Sequence, residues 1–141
     1  MTIIVTDAGF APDDFAGPVL KSEALPANDC EGFAVTLPSD TAPDALTGPL
    51  LDAAMIRIEF PSFADGRGFT LARLLRLNGY RGRLRAAGHV ISDQYAMVRR
   101  SGFDEVEISD DLAARQPEPH WQARTNWQAQ DYRNRLARPG G

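Results

Sequence analysis

Residues 56–76 read Ile-Arg-Ile-Glu-Phe-Pro-Ser-Phe-Ala-Asp-Gly-Arg-Gly-Phe-Thr-Leu-Ala-Arg-Leu-Leu-Arg. Arg57 and Glu59 alternate with Ile56, Ile58 and Phe60, the period of a strand with one apolar face and one face that is polar or lines a cleft. Pro61 stops the strand, Asp65-Gly66-Arg67-Gly68 forms a loop, and Thr70 opens a helix whose Leu71, Leu74, Leu75 and Leu77 mark a buried stripe. A loop where a strand hands over to a helix is where α/β proteins usually bind ligands.

The same alternation of elements continues on both sides. Asn78-Gly79 stops the helix, Arg83 to Ala87 forms the next strand, and Gly88-His89 ends it. A further helix runs from about Ile91 to Arg100, and Phe103 to Ile108 is the last strand of the series. Upstream, Phe33 to Leu37 is a β-branched and aromatic run stopped by Pro38, followed by a short or broken helix over 42–52. Strands and helices at these intervals predict an α/β core, 33–108, built of consecutive βαβ units around a parallel sheet of about four strands. Its form is either an open sheet or, if each strand lies beside its predecessor, something like half of a β/α barrel. Residues 1–32 predict an edge hairpin, from Ile3 to Val5 and the turn at Asp7 to Gly9, then a loop segment. Residues 109–141 form a C-terminal extension in which Ser109 can cap a short helix.

The chain has 141 residues, one ordinary domain, and a net charge of −4. Its single cysteine, Cys30, excludes an internal disulfide and a cysteine-ligated cluster or zinc site from this chain alone, so no cofactor is expected. The absence of a long apolar run or a signal-peptide start predicts a cytoplasmic protein with no membrane partner. Charge is segregated. Residues 1–65 hold eleven acids against Lys21 and Arg57, residues 66–101 hold eight arginines against Asp93 alone, and residues 102–114 hold five acids. Such blocks either pair within the fold or form a docking surface. Overall acidity argues against nucleic acid as a partner.

The first candidate site is Asp65, Gly66, Arg67 and Gly68, where backbone amides, a helix start and a guanidinium could receive a small anion such as a sulfur oxyanion or a phosphate. The alternative is a structural turn in which Asp65 pairs with Arg67 or caps the helix. A P-loop is excluded, because its Lys-Ser/Thr pair is missing. Neighbouring parallel strands would bring Glu59 and His89 to the same crevice, and Asp93 follows closely. Ser62 lacks the nucleophile elbow of hydrolases, and Cys30 has no activating neighbour in sequence. For a protein partner the candidates are Arg81, Arg83 and Arg85, together with Trp121 and Trp127. On a continuous helix Trp121 and Tyr132 would fall within roughly 20° of each other and Trp127 on the opposite side, so the tail shows no single apolar face. Aromatics of this kind usually pack on their own domain.

Glu59-Phe60-Pro61-Ser62-Phe63-Ala64-Asp65-Gly66-Arg67-Gly68-Phe69-Thr70, followed by Gly79-Tyr80-Arg81-Gly82-Arg83-Leu84-Arg85-Ala86, Asp93-Gln94 and Arg99-Arg100-Ser101-Gly102-Phe103, resembles a bacterial family of unknown function. That family is typically encoded beside assimilatory sulfite reductase and is labelled a probable accessory oxidoreductase of sulfite reduction. The resemblance spans about 33–108, with a loose match before it. His89 stands where an acid is expected, and Ser101 where a cysteine is expected. What the resemblance implies is an accessory role in sulfur assimilation, docking onto sulfite reductase or its electron donor, with Asp65 to Gly68 as shared loop residues. The alternative is a small enzyme or sensor that binds an anion at that loop.

Overall fold

A computed structural model describes residues 2–15, 17–21, 32–46, 48–125 and 127. Cys30 and Tyr132 lie outside the described residues. Seven strands form one sheet: β1 (Thr2–Thr6), β2 (Gly9–Pro12), β3 (Val19–Lys21), β4 (Ala34–Leu37), β5 (Met55–Phe60), β6 (Arg83–Gly88) and β7 (Glu105–Ser109). Their order across the sheet is β2-β1-β7-β6-β5-β4-β3. From β3 to β7 each strand lies parallel to its predecessor, while β1 joins β7 antiparallel and β2 joins β1 antiparallel.

The four expected strands are therefore the middle of a larger sheet. The N-terminal hairpin joins it at one edge. At the other, β3 arises in a stretch expected to be loop, because three residues are too few to show a period. Val19, Leu20 and Lys21 are extended by pairing with Ala34, Val35 and Thr36. The short or broken helix expected over 42–52 takes the form of two short 3₁₀ turns, Pro43–Ala45 and Gly48–Asp52.

Sequential parallel strands with right-handed crossovers leave every connecting helix on one face. The helices are α1 (Arg67–Leu77), α2 (Tyr95–Ser101), α3 (Asp110–Arg115) and α4 (Glu118–Gln122). Leu71, Ala72 and Leu75 of α1, Tyr95 and Val98 of α2, Leu112 of α3 and Trp121 of α4 share one apolar cluster with Val35, Leu37, Ile56, Ile58, Phe60, Leu84, Ala86, Val106 and Ile108 of the strands. Each fully buried large aliphatic or aromatic side chain contributes about 1.5–3 kcal/mol. Ser109 caps α3 by accepting the Leu112 amide.

The sheet is curled. Pro12 and Val19 are seven residues apart, at most about 25 Å of extended chain. Six strand spacings of about 4.8 Å would hold β2 and β3 about 29 Å apart in a flat sheet. The connection thus crosses the concave face, opposite the helices, where Asp13 pairs with Arg85 and Asp14 with Arg83. It runs from Pro12, level with Ile108 near the carboxyl end of β7, past Arg85 and Arg83 to Val19 at the amino end of β3, and leaves the carboxyl ends of β4 to β6 open.

Candidate functional site

Alternation along the strands sends Arg57 and Glu59 of β5, Arg83 and Arg85 of β6, and Glu105 and Glu107 of β7 to the concave face. The register sets Arg85 opposite Glu105 and Ala87 opposite Glu107, and a continuous charge lattice results. Glu105 accepts from Arg83 Nε at 2.5 Å and from Arg85 Nε at 2.6 Å. Glu107 accepts from Arg85 Nη1 at 2.9 Å and from Arg57 Nε at 3.0 Å. Asp13 closes the lattice with two bonds from Arg85, each 3.0 Å. Arg85 is only 1% exposed, so no water compensates its charge.

The segregated blocks of the sequence therefore pair within the fold: acids before residue 66 and after residue 101 neutralise arginines between them. Of the residues considered for a partner, Arg83 and Arg85 belong to this lattice and Trp121 is fully buried. Trp127 is half-buried, with Arg99 stacked 5.0 Å from its ring centre. Arg81 is exposed.

The hydrogen bonds from Arg85 hold the Asp13 carboxyl below its ordinary 3.8, and those from Arg83 do the same for Asp14. Burial alone would raise Glu107 above 4.5, but its bonds from Arg57 and Arg85 outweigh burial and lower it. A carboxyl more acidic in the folded than in the unfolded chain adds stability that is complete above its unfolded pKa and lost as pH falls through the folded one. Melting temperature is thus expected to hold to about pH 5 and then to fall steadily, as each of these carboxylates is protonated. Thermal melts across this range check it; a flat profile down to about pH 3 would contradict it.

The Asp65-Gly66-Arg67-Gly68 loop is built as a turn. Asp65 accepts the Arg67 amide at 3.1 Å, and its carboxylate receives Arg67 Nε at 3.0 Å and Nη2 at 2.8 Å. Those side-chain bonds, with the backbone bond, hold Asp65 far below the usual carboxylate range. Arg67 also donates to the buried Ser39 hydroxyl at 3.1 Å. Because Asp65 organises this turn, α1 starts at Arg67, three residues before the expected Thr70. Gly68 is required for packing: a Cβ there would lie 2.5 Å from the Phe60 ring.

Above the lattice, at the carboxyl ends of β4, β5 and β6, lies a cleft of about 350 Å³ lined by Pro38, Ser39, Arg57, Glu59, Phe60, Pro61, Ala87, Gly88 and His89. It continues toward β3 as a recess of about 200 Å³ among Lys21, Thr36, Pro38 and Glu59. Gly88 allows the tight exit from β6: its φ is +111°, and a Cβ there would lie 2.8 Å from the Phe60 carbonyl oxygen. His89 follows at once, its ring edge-on to Phe63 and its Nδ1 3.3 Å from the same carbonyl. An Nδ1 that donates to this oxygen leaves Nε2 as an acceptor, and the ring borders both this cleft and a recess of about 200 Å³ shared with Ser109, Leu112 and Arg115.

Glu59 and His89 thus line one cleft, and Ser39 of the same cleft accepts a hydrogen bond from Arg67. Arg67 itself faces a neighbouring recess of about 310 Å³ with Asp40, Thr41, Pro43, Thr70 and Leu71. Asp93 is turned away and binds Arg124. Lys21, Thr36 and Ser39 had no signal in the sequence, since their place depends on β3 pairing with β4. Among the described residues Lys21 and Glu59 make no salt bridge, although Glu59 feels the charge of Arg57 two residues before it on the same face, and no group of three or more His, Cys, Asp or Glu is set to hold a metal.

Residues 34–138 match the family described as bacterial protein of unknown function, DUF934. The chain belongs to this family. The DUF934 match takes in Ser39, Arg57, Glu59 and His89 of the cleft and the arginine–glutamate lattice. Lys21, Asp13 and Asp14 precede it. No curated protein and no solved structure matches the chain. Among the described residues no helix is long and apolar enough to cross a membrane.

Proposed function

We propose that this DUF934 protein is an accessory protein of assimilatory sulfite reduction, acting on sulfite reductase or its electron donor, and that it binds a small zwitterion in the concave cleft. One observation carries the ligand reading. Lys21 and Glu59, opposite charges outside any salt bridge among the described residues, border one recess that opens into the cleft beside His89, and the nearest cation to Glu59 on its own strand, Arg57, is bound by Glu107. An α-amino acid satisfies both: its carboxylate meets Lys21 and its ammonium meets Glu59. A simple oxyanion satisfies Lys21 alone and is repelled by Glu59. Arg67 is a poorer anion receptor than its sequence suggests, since Asp65 already occupies its guanidinium. Position supports the same reading, because ligands of parallel α/β sheets bind outside the carboxyl ends of the strands.

Calorimetry with L-cysteine, L-serine, sulfite and sulfate tests the ligand reading. An amino acid is expected to bind more tightly than either oxyanion, and Glu59→Gln to weaken it by about tenfold or more, the loss expected when a charged hydrogen-bond partner is removed. Binding of sulfite or sulfate that is lost in Arg67→Ala but kept in Glu59→Gln would move the site to the Asp65 to Gly68 loop. No heat with any probe would remove the cleft as the site for these ligands.

A further inference from the structure

We infer that the outer face of α1 and α2 is a docking surface for an acidic protein. Of the eight arginines in 66–101, five are engaged within the fold: Arg67, Arg76, Arg83, Arg85 and Arg99. Arg73, Arg81 and Arg100 remain. All three are exposed and, among the described residues, without an ion-pair partner.

They belong to one neighbourhood. Arg76 donates to the carbonyls of Tyr80, Gly82 and Gly102, and so ties the end of α1, the loop after it and the end of α2 together. Arg73 lies one turn before Leu77 on the outer side of α1, and Met97 one turn before Arg100 on α2. Leu77 is 76% exposed and Met97 48% exposed, two of the few large apolar side chains left in solvent among the described residues. Exposed apolar side chains with arginines one helical turn away have the composition of an interface: an apolar centre that excludes water and a charged rim that steers the partner.

Charge selects the partner. Neither 67–81 nor 95–101 contains an acidic residue, although the chain carries a net −4. Two acids that reach these helices, Asp104 and Asp7, are already bound by Arg76 and Arg99. The surface therefore favours an acidic partner. The apolar centre favours protein over nucleic acid, for which a continuous basic stripe is the usual footprint. The inference stands apart from the ligand cleft, which lies at the other end of the strands and uses none of these residues.

The test is photo-crosslinking of the full chain in the cells that make it, with p-benzoylphenylalanine placed at position 77, 97 or, as a control, at exposed position 19 on the β3 edge. Adducts to an acidic protein are expected at 77 and 97 and not at 19. Adduct yield is expected to fall by about tenfold or more in R73E/R81E/R100E, since rim charges govern encounter. That variant should keep the melting temperature of the wild type, because among the described residues none of its arginines is in a salt bridge. No adduct at 77 or 97, a yield unchanged by the charge reversal, or adducts to nucleic acid or lipid would overturn the inference. An acidic partner other than sulfite reductase or its electron donor would leave the surface standing and remove the sulfite-reduction reading.

Discussion

Arg85→Ala is expected to destabilise the protein by about 3–5 kcal/mol, the cost of stranding buried carboxylates whose cation has been removed. Arg85 holds Glu105, Glu107 and Asp13 at once, and both glutamates are buried. Without it Glu105 keeps Arg83 and Glu107 keeps Arg57, but each loses one of its two cations in a site that water does not reach. Arg81→Ala, one strand entry away and exposed, is expected to change stability by no more than about 0.5 kcal/mol. Urea unfolding of the two variants makes the comparison. Equal, small effects would mean that the lattice contributes nothing beyond a solvated salt bridge. A double variant, Arg85→Met with Glu105→Gln, is expected to be less damaged than the two single effects added together, because residues of one network do not act independently.

Trp121→Ala is expected to cost about 3–5 kcal/mol, the range for removing a buried aromatic. The indole is fully buried, packs edge-on against Tyr95 with centroids 6.1 Å apart, and donates to the Gln116 carbonyl at 2.8 Å. It also secures α4, whose Glu118 carboxylate accepts the Phe10 amide of β2, so the loss should loosen the N-terminal hairpin as well. Thermal unfolding, with hydrogen exchange at Phe10, reads both effects. A stable variant with unchanged exchange at Phe10 would contradict this role.

The core of this fold was legible because its strands and α1 are long enough to show their periods. Ile56, Ile58 and Phe60 alternate with Arg57 and Glu59, and the structure sends the first set to the helices and the second to the concave face. Conditions that depend on pairing across the sheet were not legible. Val19 to Lys21 is a strand only because β4 lies beside it, so the contribution of Lys21 to the recess had no local signal. Arg83 and Arg85 look like solvated cations in sequence, since only the register with β7 reveals Glu105 and Glu107 beside them. In sequence Asp65 and Arg67 fit either a turn or an anion site. The choice rested on side-chain geometry that spacing cannot supply: Asp65 takes both Arg67 nitrogens and the Arg67 amide. Glu59 and His89 line one cleft because Phe60 and Gly88 are partners in the ladder, a consequence of strand order.

The central claim is that the open carboxyl end of the concave face, and not the Asp65 to Gly68 loop, holds the ligand. The most direct measurement is amide chemical-shift mapping of the isotopically labelled full chain, titrated separately with L-cysteine and with sulfite. Saturable shifts at Lys21, Thr36, Ser39, Glu59 and His89 with the amino acid, larger than any produced by sulfite, are the predicted result. Shifts confined to Asp65, Gly66, Arg67 and Gly68, or no saturable shift with either probe, would contradict it.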